Sequence, residues 1–115
     1  MQYLALIYSA PANSPKYGTP EFTAMMAGYT AFTSELKARG AFVAGDGLQP
    51  VDTATSVRLR NGKVETMDGP FAETKEHLGG YYLIDVPDLD SAIKLAAMIP
   101  SAGFGTVELR PVAVY

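Results

Sequence analysis

The chain predicts an α+β fold: a four-stranded antiparallel sheet with two helices on one face and a β-hairpin inserted between the second and third strands. Three observations carry that expectation. Strand-like and helix-like apolar periods alternate in the order β-α-β-β-α-β once the hairpin is set aside. Asn61-Gly62 stands between two short strand-like runs, the strongest two-residue hairpin signal a sequence carries. The core strands are also apolar on both faces, more than two helices on one side can cover.

Gln2 to Tyr8, rich in aromatic and branched residues, predicts the first strand. Pro11, Asn13, Ser14, Pro15 and Gly18 make the next stretch a loop. Thr19-Pro20-Glu21 then opens a helix: a capping hydroxyl, a proline suited to the first turn and a carboxylate at the positive dipole end. Phe22, Met25, Met26, Tyr29, Phe32, Thr33 and Leu36 recur at steps of three and four, an apolar stripe expected to be core. Arg39-Gly40 ends the helix.

Phe42 to Gly45 begins a second strand, broken by the glycines at 45 and 47. Thr55–Arg60 and Lys63–Met67 flank the Asn61-Gly62 turn, whose central residues should both take positive φ. That register sets Arg58 opposite Glu65 and Leu59 opposite Val64. Tyr81 to Val86 is the third core strand, and Asp88 caps a helix from Leu89 to Ile99 with Ile93, Ala96 and Ala97 inward. Pro100 stops it, and Thr106 to Val114 is the last strand. Each helix follows a strand and leads into another, which is the split βαβ, ferredoxin-like pattern. Right-handed crossovers place both helices on one face.

The other face needs its own cover. Leu4, Leu6 and Tyr8 oppose Tyr3, Ala5 and Ile7, and Tyr81 and Leu83 oppose Tyr82, Ile84 and Val86. A second copy of the chain is the simplest supplier, so a homodimer is expected.

Composition narrows the function. At 115 residues the chain is expected to be one domain, 1–115, large enough for a core without staples. With no cysteine there is no thiolate nucleophile, disulfide or thiolate metal site. The net charge of −3 and nine scattered Lys and Arg residues leave no electrostatic footprint for nucleic acid. Leu4 to Tyr8 lacks the basic flank and length of a signal peptide, and no apolar run reaches the roughly 18 residues of a membrane span. No membrane partner is expected, and the cytoplasm is the default location.

Asp68-Gly69-Pro70-Phe71-Ala72-Glu73-Thr74-Lys75-Glu76 is the most distinctive run. Together with Gly45-Asp46-Gly47-Leu48-Gln49-Pro50, Thr55-Ser56-Val57-Arg58, Leu78-Gly79-Gly80-Tyr81-Tyr82 and Val107-Glu108-Leu109-Arg110-Pro111, it resembles the YCII-related family, in the branch marked by an Asp-Gly-Pro-Phe (DGPF) motif. The match spans nearly the whole chain. The resemblance implies a ferredoxin-like subunit whose sheets pack face to face as a dimeric α+β barrel. It implies no particular reaction, and branch members are associated with sigma-factor-like regulators. Some relatives in the wider family look like small hydrolytic or dehydrochlorinating enzymes with a His–Asp pair. His77, the single histidine, lies in the motif region and not where such relatives carry theirs, so no catalytic pair is carried over.

Within the motif, Asp68 is expected to organise the turn by accepting backbone N–H groups, with Pro70 holding Gly69 extended. Its functional reading is a general base or ligand-binding acid at a pocket rim. Glu73, Lys75, Glu76 and His77 form a dense polar cluster, either a solvated loop or the lining of a cavity in which a glutamate polarises His77. Arg58 and Arg110 lie on strands, paired or exposed unless they turn inward as anion anchors. Asp68, Gly69, Pro70, Phe71, Glu73, Lys75, Glu76, His77, Arg58 and Arg110 are therefore the candidate pocket residues.

No metal is expected: one histidine offers no zinc spacing, and Asp68-Gly69-Pro70 lacks the alternating oxygen ligands of a calcium loop. Gly79-Gly80 opens no helix and belongs to no nucleotide fingerprint, so no cofactor is expected and close backbone approach accounts for the pair. Gly45-Asp46-Gly47 reads as a bulge or turn. Two functions remain in view. One is a dimeric barrel that binds or weakly transforms a small molecule; the other is a non-enzymatic interaction module with a structural motif.

Overall fold

The computed structural model describes residues 1–115. Strand β1 (Gln2–Ser9) leads through a loop to helix α1 (Pro20–Ala38), then to β2 (Phe42–Gly47). Strands β3 (Thr55–Arg60) and β4 (Lys63–Asp68) form a hairpin. β5 (His77–Asp85), α2 (Leu89–Ala96) and β6 (Thr106–Pro111) follow. The main sheet has the order β2-β5-β1-β6 with every pair antiparallel, and β3-β4 is a separate two-stranded sheet. Four antiparallel strands and two helices in this order are compatible with the ferredoxin-like pattern.

Local chemistry sets the ends of α1. The Thr19 hydroxyl accepts the Phe22 N–H at 3.2 Å, and Pro20 occupies the first turn, where its missing N–H costs nothing. At the other end Gly40 takes φ +70°. Its N–H bonds the Lys37 carbonyl while Ala41 N–H reaches back to Leu36, the paired bonds of a Schellman motif.

One buried cluster places both helices on the same side. Tyr3, Ala5, Ile7, Tyr82, Ile84 and Val86 from the sheet pack with Phe32 and Leu36 of α1 and Ala92, Leu95 and Ala96 of α2. The expected inward face of α2 holds at Ala96 but not at Ile93 or Ala97. Ile93 is half exposed and Ala97 exposed, while Ala92, Leu95, Ala96 and Ile99 are buried. Small residues at 92 and 96 let this short helix lie close to the sheet, and the larger Ile93 turns outward.

Three boundaries also differ from expectation by three residues or more. α2 stops at Ala96 because Ile99 precedes Pro100 and is driven to an extended ψ of 127°, so the last turn tightens through Met98 N–H to Leu95 and Ile99 N–H to Ala96. β6 ends at Pro111, where its ladder with β1 closes opposite Tyr3, the final bond being Val112 N–H to the Gln2 carbonyl. β5 starts at His77 and not Tyr81, since Tyr8 and Ser9 continue the ladder against Leu78 and His77. The register shift there leaves Gly79 as the extra residue of a bulge.

The hairpin follows its sequence closely. Asn61 (φ 52°) and Gly62 (φ 73°) both occupy the left-handed region, and Arg58 opposes Glu65 as Leu59 opposes Val64. It projects with Val57, Leu59 and Val64 about two-thirds exposed.

Candidate functional site

On the helix side of the sheet, β2 and β5 carry Phe42, Tyr82 and Ile84 and otherwise present the glycines at 45, 47 and 80. Gly45 opposes Tyr82 and Gly47 opposes Gly80, while Gly80 also opposes Ile7 of β1. β2 runs through both of its glycines and is not broken by them. Gly45 is required because a Cβ there would stand 2.6 Å from the Tyr82 ring, and Gly80 because its Cβ would meet the Asp46 carbonyl at 3.0 Å. Gly47 faces open space. With this glycine floor below and α1 above, a cavity of about 460 Å³ remains between them.

Its walls are the N-terminal part of the α1 stripe. Phe22, Met25, Met26 and Tyr29 line it with Phe42 and Phe104. The reading of that stripe as core therefore holds for Phe32 and Leu36, which are buried, but not for the methionines, which face the cavity. Its polar groups come as paired hydroxyls. Tyr29 Oη and Ser101 Oγ are 2.5 Å apart, Thr33 Oγ1 and Tyr82 Oη 2.8 Å, and Ser14 Oγ, which donates to the Ala10 carbonyl at 2.8 Å, lies 3.0 Å from Ser9 Oγ. Burial pushes the Tyr29 phenol above its ordinary pKa, outweighing the opposite pull of its hydrogen bond to Ser101, so it stays protonated at neutral pH. The partners of these hydroxyls are other hydroxyls and the Ala10 carbonyl, and not a base. The arrangement can donate and accept hydrogen bonds around an apolar guest.

The predicted candidates lie elsewhere, and none lines this cavity. Asp68 ends β4 opposite Thr55 with an exposed side chain. It does not organise its turn. Gly69 N–H bonds the Ala54 carbonyl at 2.7 Å, and Ser56 Oγ donates to the Gly69 carbonyl at 2.9 Å, so backbone and serine hold the chain there. Gly69 is not ordinarily extended either: at φ +89° it uses a region glycine reaches without strain, while Pro70 still excludes the right-handed helical well.

Phe71, Glu73 and Lys75 are exposed. Glu76 is half-buried and accepts from Thr106 Oγ1 at 2.8 Å, while the Thr74 hydroxyl bonds the Glu76 carbonyl. His77 opposes Ser9 in the ladder, which sets the motif's C-terminal end beside one cavity-lining residue. Arg58 is exposed on the hairpin, and Arg110 pairs with Glu108 at 3.1 Å with its side chain 70% exposed. No group of three His, Asp or Glu side chains gathers as a metal-ligand set.

The model of the YCII-related domain matches residues 1–115. The chain belongs to the YCII-related family. It is also 34% identical over 117 residues to an uncharacterised protein of Rhizobium meliloti (strain 1021), an alignment covering 100% of this chain and 94% of the relative. Sequence reasoning about this YCII-related protein missed Tyr29, Thr33, Tyr82 and Ser101 as site residues. A signal did exist: glycines at 45, 47 and 80 leave the first half of the α1 stripe without side chains to pack against.

Proposed function

We propose that this YCII-related protein, of the DGPF branch, is a cytoplasmic homodimeric subunit that binds a small molecule in the cavity beneath α1. The observation that carries the reading is the cavity itself. At about 460 Å³, with apolar walls and a few hydroxyls, it falls within the range of small-molecule sites. The motif contributes at the cavity's edge through the His77–Ser9 pairing, and Asp68 to Phe71 shape the chain leading to it.

The test is native mass spectrometry of the purified protein beside a metabolite thermal-shift screen, repeated on Gly47→Phe. Because Gly47 lines the cavity and its Cβ would meet open space, a phenylalanine there should occupy cavity volume without a clash at the strand. The parent should retain or gain a ligand that Gly47→Phe loses while melting cooperatively. A ligand held equally by both proteins would remove the cavity from the reading.

A second reading, a regulatory interaction module, draws support from the exposed apolar face of the hairpin, Val57, Leu59 and Val64. It predicts that Gly47→Phe leaves every binding property unchanged.

A further inference from the structure

The cavity beneath α1 is built to exclude formal charge. No lysine, arginine or histidine lines it, and its single charged lining residue is Asp46. Asp46 opposes Tyr81 on the far face of the sheet, where its carboxylate accepts the Tyr81 hydroxyl at 2.8 Å. An entering carboxylate or phosphate would find no cation to replace its water, and the one ionic neighbour has the wrong sign. An ammonium would find that carboxylate on the far face of the sheet, beside the Tyr81 hydroxyl.

What the cavity does offer is flat and apolar, with hydroxyls at fixed places. The glycine floor exposes peptide backbone with no Cβ projecting from it, and Phe22, Phe42, Phe104 and the two methionines close the slot. Thioethers and aromatic edges favour contact with a ring. The Tyr29 and Tyr82 rings lie nearly parallel, 13° apart with centroids at 6.4 Å. Each carries a hydroxyl paired with an aliphatic one, Ser101 or Thr33. A pair of hydroxyls holds two protons and uses one between its members. One proton and several lone pairs are left over, so each pair can meet a neutral hydroxyl or carbonyl in either sense.

We propose that the ligand of this cavity is an uncharged, planar aromatic molecule bearing a hydroxyl or carbonyl group, seated between the α1 stripe and the glycine floor with its polar group at the Tyr29–Ser101 and Thr33–Tyr82 pairs. The inference rests on the reading of the cavity as a binding site.

The experiment uses the full chain labelled with ¹³C at the methionine methyls, because Met25 and Met26 line the cavity while Met67 and Met98 do not. Four probes share one ring and differ only in the head group: 4-ethylphenol, 4-ethylbenzoate, 4-ethylbenzylammonium and ethylbenzene. 4-Ethylphenol should move the Met25 and Met26 signals saturably and leave Met67 and Met98 still. The anion and the cation should bind at least about tenfold more weakly. Tyr29→Phe should weaken 4-ethylphenol about threefold or more yet leave ethylbenzene unchanged, a difference that general loosening of the fold cannot produce. If 4-ethylbenzoate or 4-ethylbenzylammonium binds as tightly as the phenol while moving Met25 and Met26, the neutral-ligand inference falls and the cavity stands. If no probe moves those signals at concentrations up to about 5 mM, the cavity reading falls and takes the inference with it.

Discussion

Asp68 is the residue the sequence makes most conspicuous, yet in the structure its neighbour carries the constraint. The Asp68 side chain is exposed, and the turn hangs on Gly69 N–H to Ala54 and Ser56 Oγ to Gly69. Gly69 at φ +89° has nothing within 4 Å of a would-be Cβ, so a substitution there meets backbone strain alone. Gly69→Ala should therefore destabilise the protein by about 1–3 kcal/mol. Asp68→Asn, at an exposed position, should stay within about 0.5 kcal/mol of the parent. Urea melts of the two variants decide the point. A large loss in Asp68→Asn would return the carboxylate to the role of turn organiser.

Among the elements, the helix termini make predictions that depend on pH. Asp88 caps α2, its Oδ1 accepting from Ser91 N–H and Ser91 Oγ, both at 2.8 Å. The backbone hydrogen bond from Ser91, then its side-chain hydrogen bond, hold the Asp88 carboxyl below the ordinary aspartate range. A carboxyl with a depressed folded pKa stabilises fully above its unfolded pKa, and that contribution is lost as pH falls through the folded value. Asp88→Asn keeps an acceptor for the cap but cannot titrate. The parent's advantage in melting temperature should be constant near neutrality and shrink between about pH 5 and about pH 2. Parallel melting curves across that interval would detach the cap from acid stability.

Elements such as this cap, the Schellman end of α1 and the Asn61-Gly62 turn were legible because each depends on residues adjacent in sequence. The cavity was not. Its floor is made by absent side chains at 45, 47 and 80, which meet only because β2 pairs with β5 over a long sequence separation. Ile93 shows the same limit: periodicity finds the stripe of α2, but contact with the sheet selects its rotation.

At the scale of the whole molecule, the proportions of the chain argue for a partner of its own kind. Its radius of gyration is 15.9 Å with extents of 48 × 44 × 19 Å, against about 13 Å for a compact chain of this length. The excess lies in a thin sheet bare on one side and a projecting hairpin. Leu4, Leu6, Tyr8, Tyr81 and Leu83 are only half-buried on that bare face, around Arg110 opposite Leu4 and Glu108 opposite Leu6. Four strands about 4.8 Å apart and roughly six residues long at about 3.3 Å each give a flat footprint of roughly 400 Å². A stable interface buries about 800 Å² per partner, so the sheet face alone falls short and the exposed row Val57, Leu59 and Val64 would have to supply much of the rest. A lone two-stranded hairpin is also marginal in water, and a second subunit would hold it. The protein should therefore sediment at about twice its 12.3 kDa subunit mass at micromolar concentration. Leu6→Glu, which sets a charge at the centre of the bare face beside Glu108 and away from the helix-side core, should sediment as a folded monomer with the parent's circular dichroism. A parent that stays monomeric at that concentration would refute the homodimer, and a Leu6→Glu variant that stays dimeric would move the partner surface off the sheet.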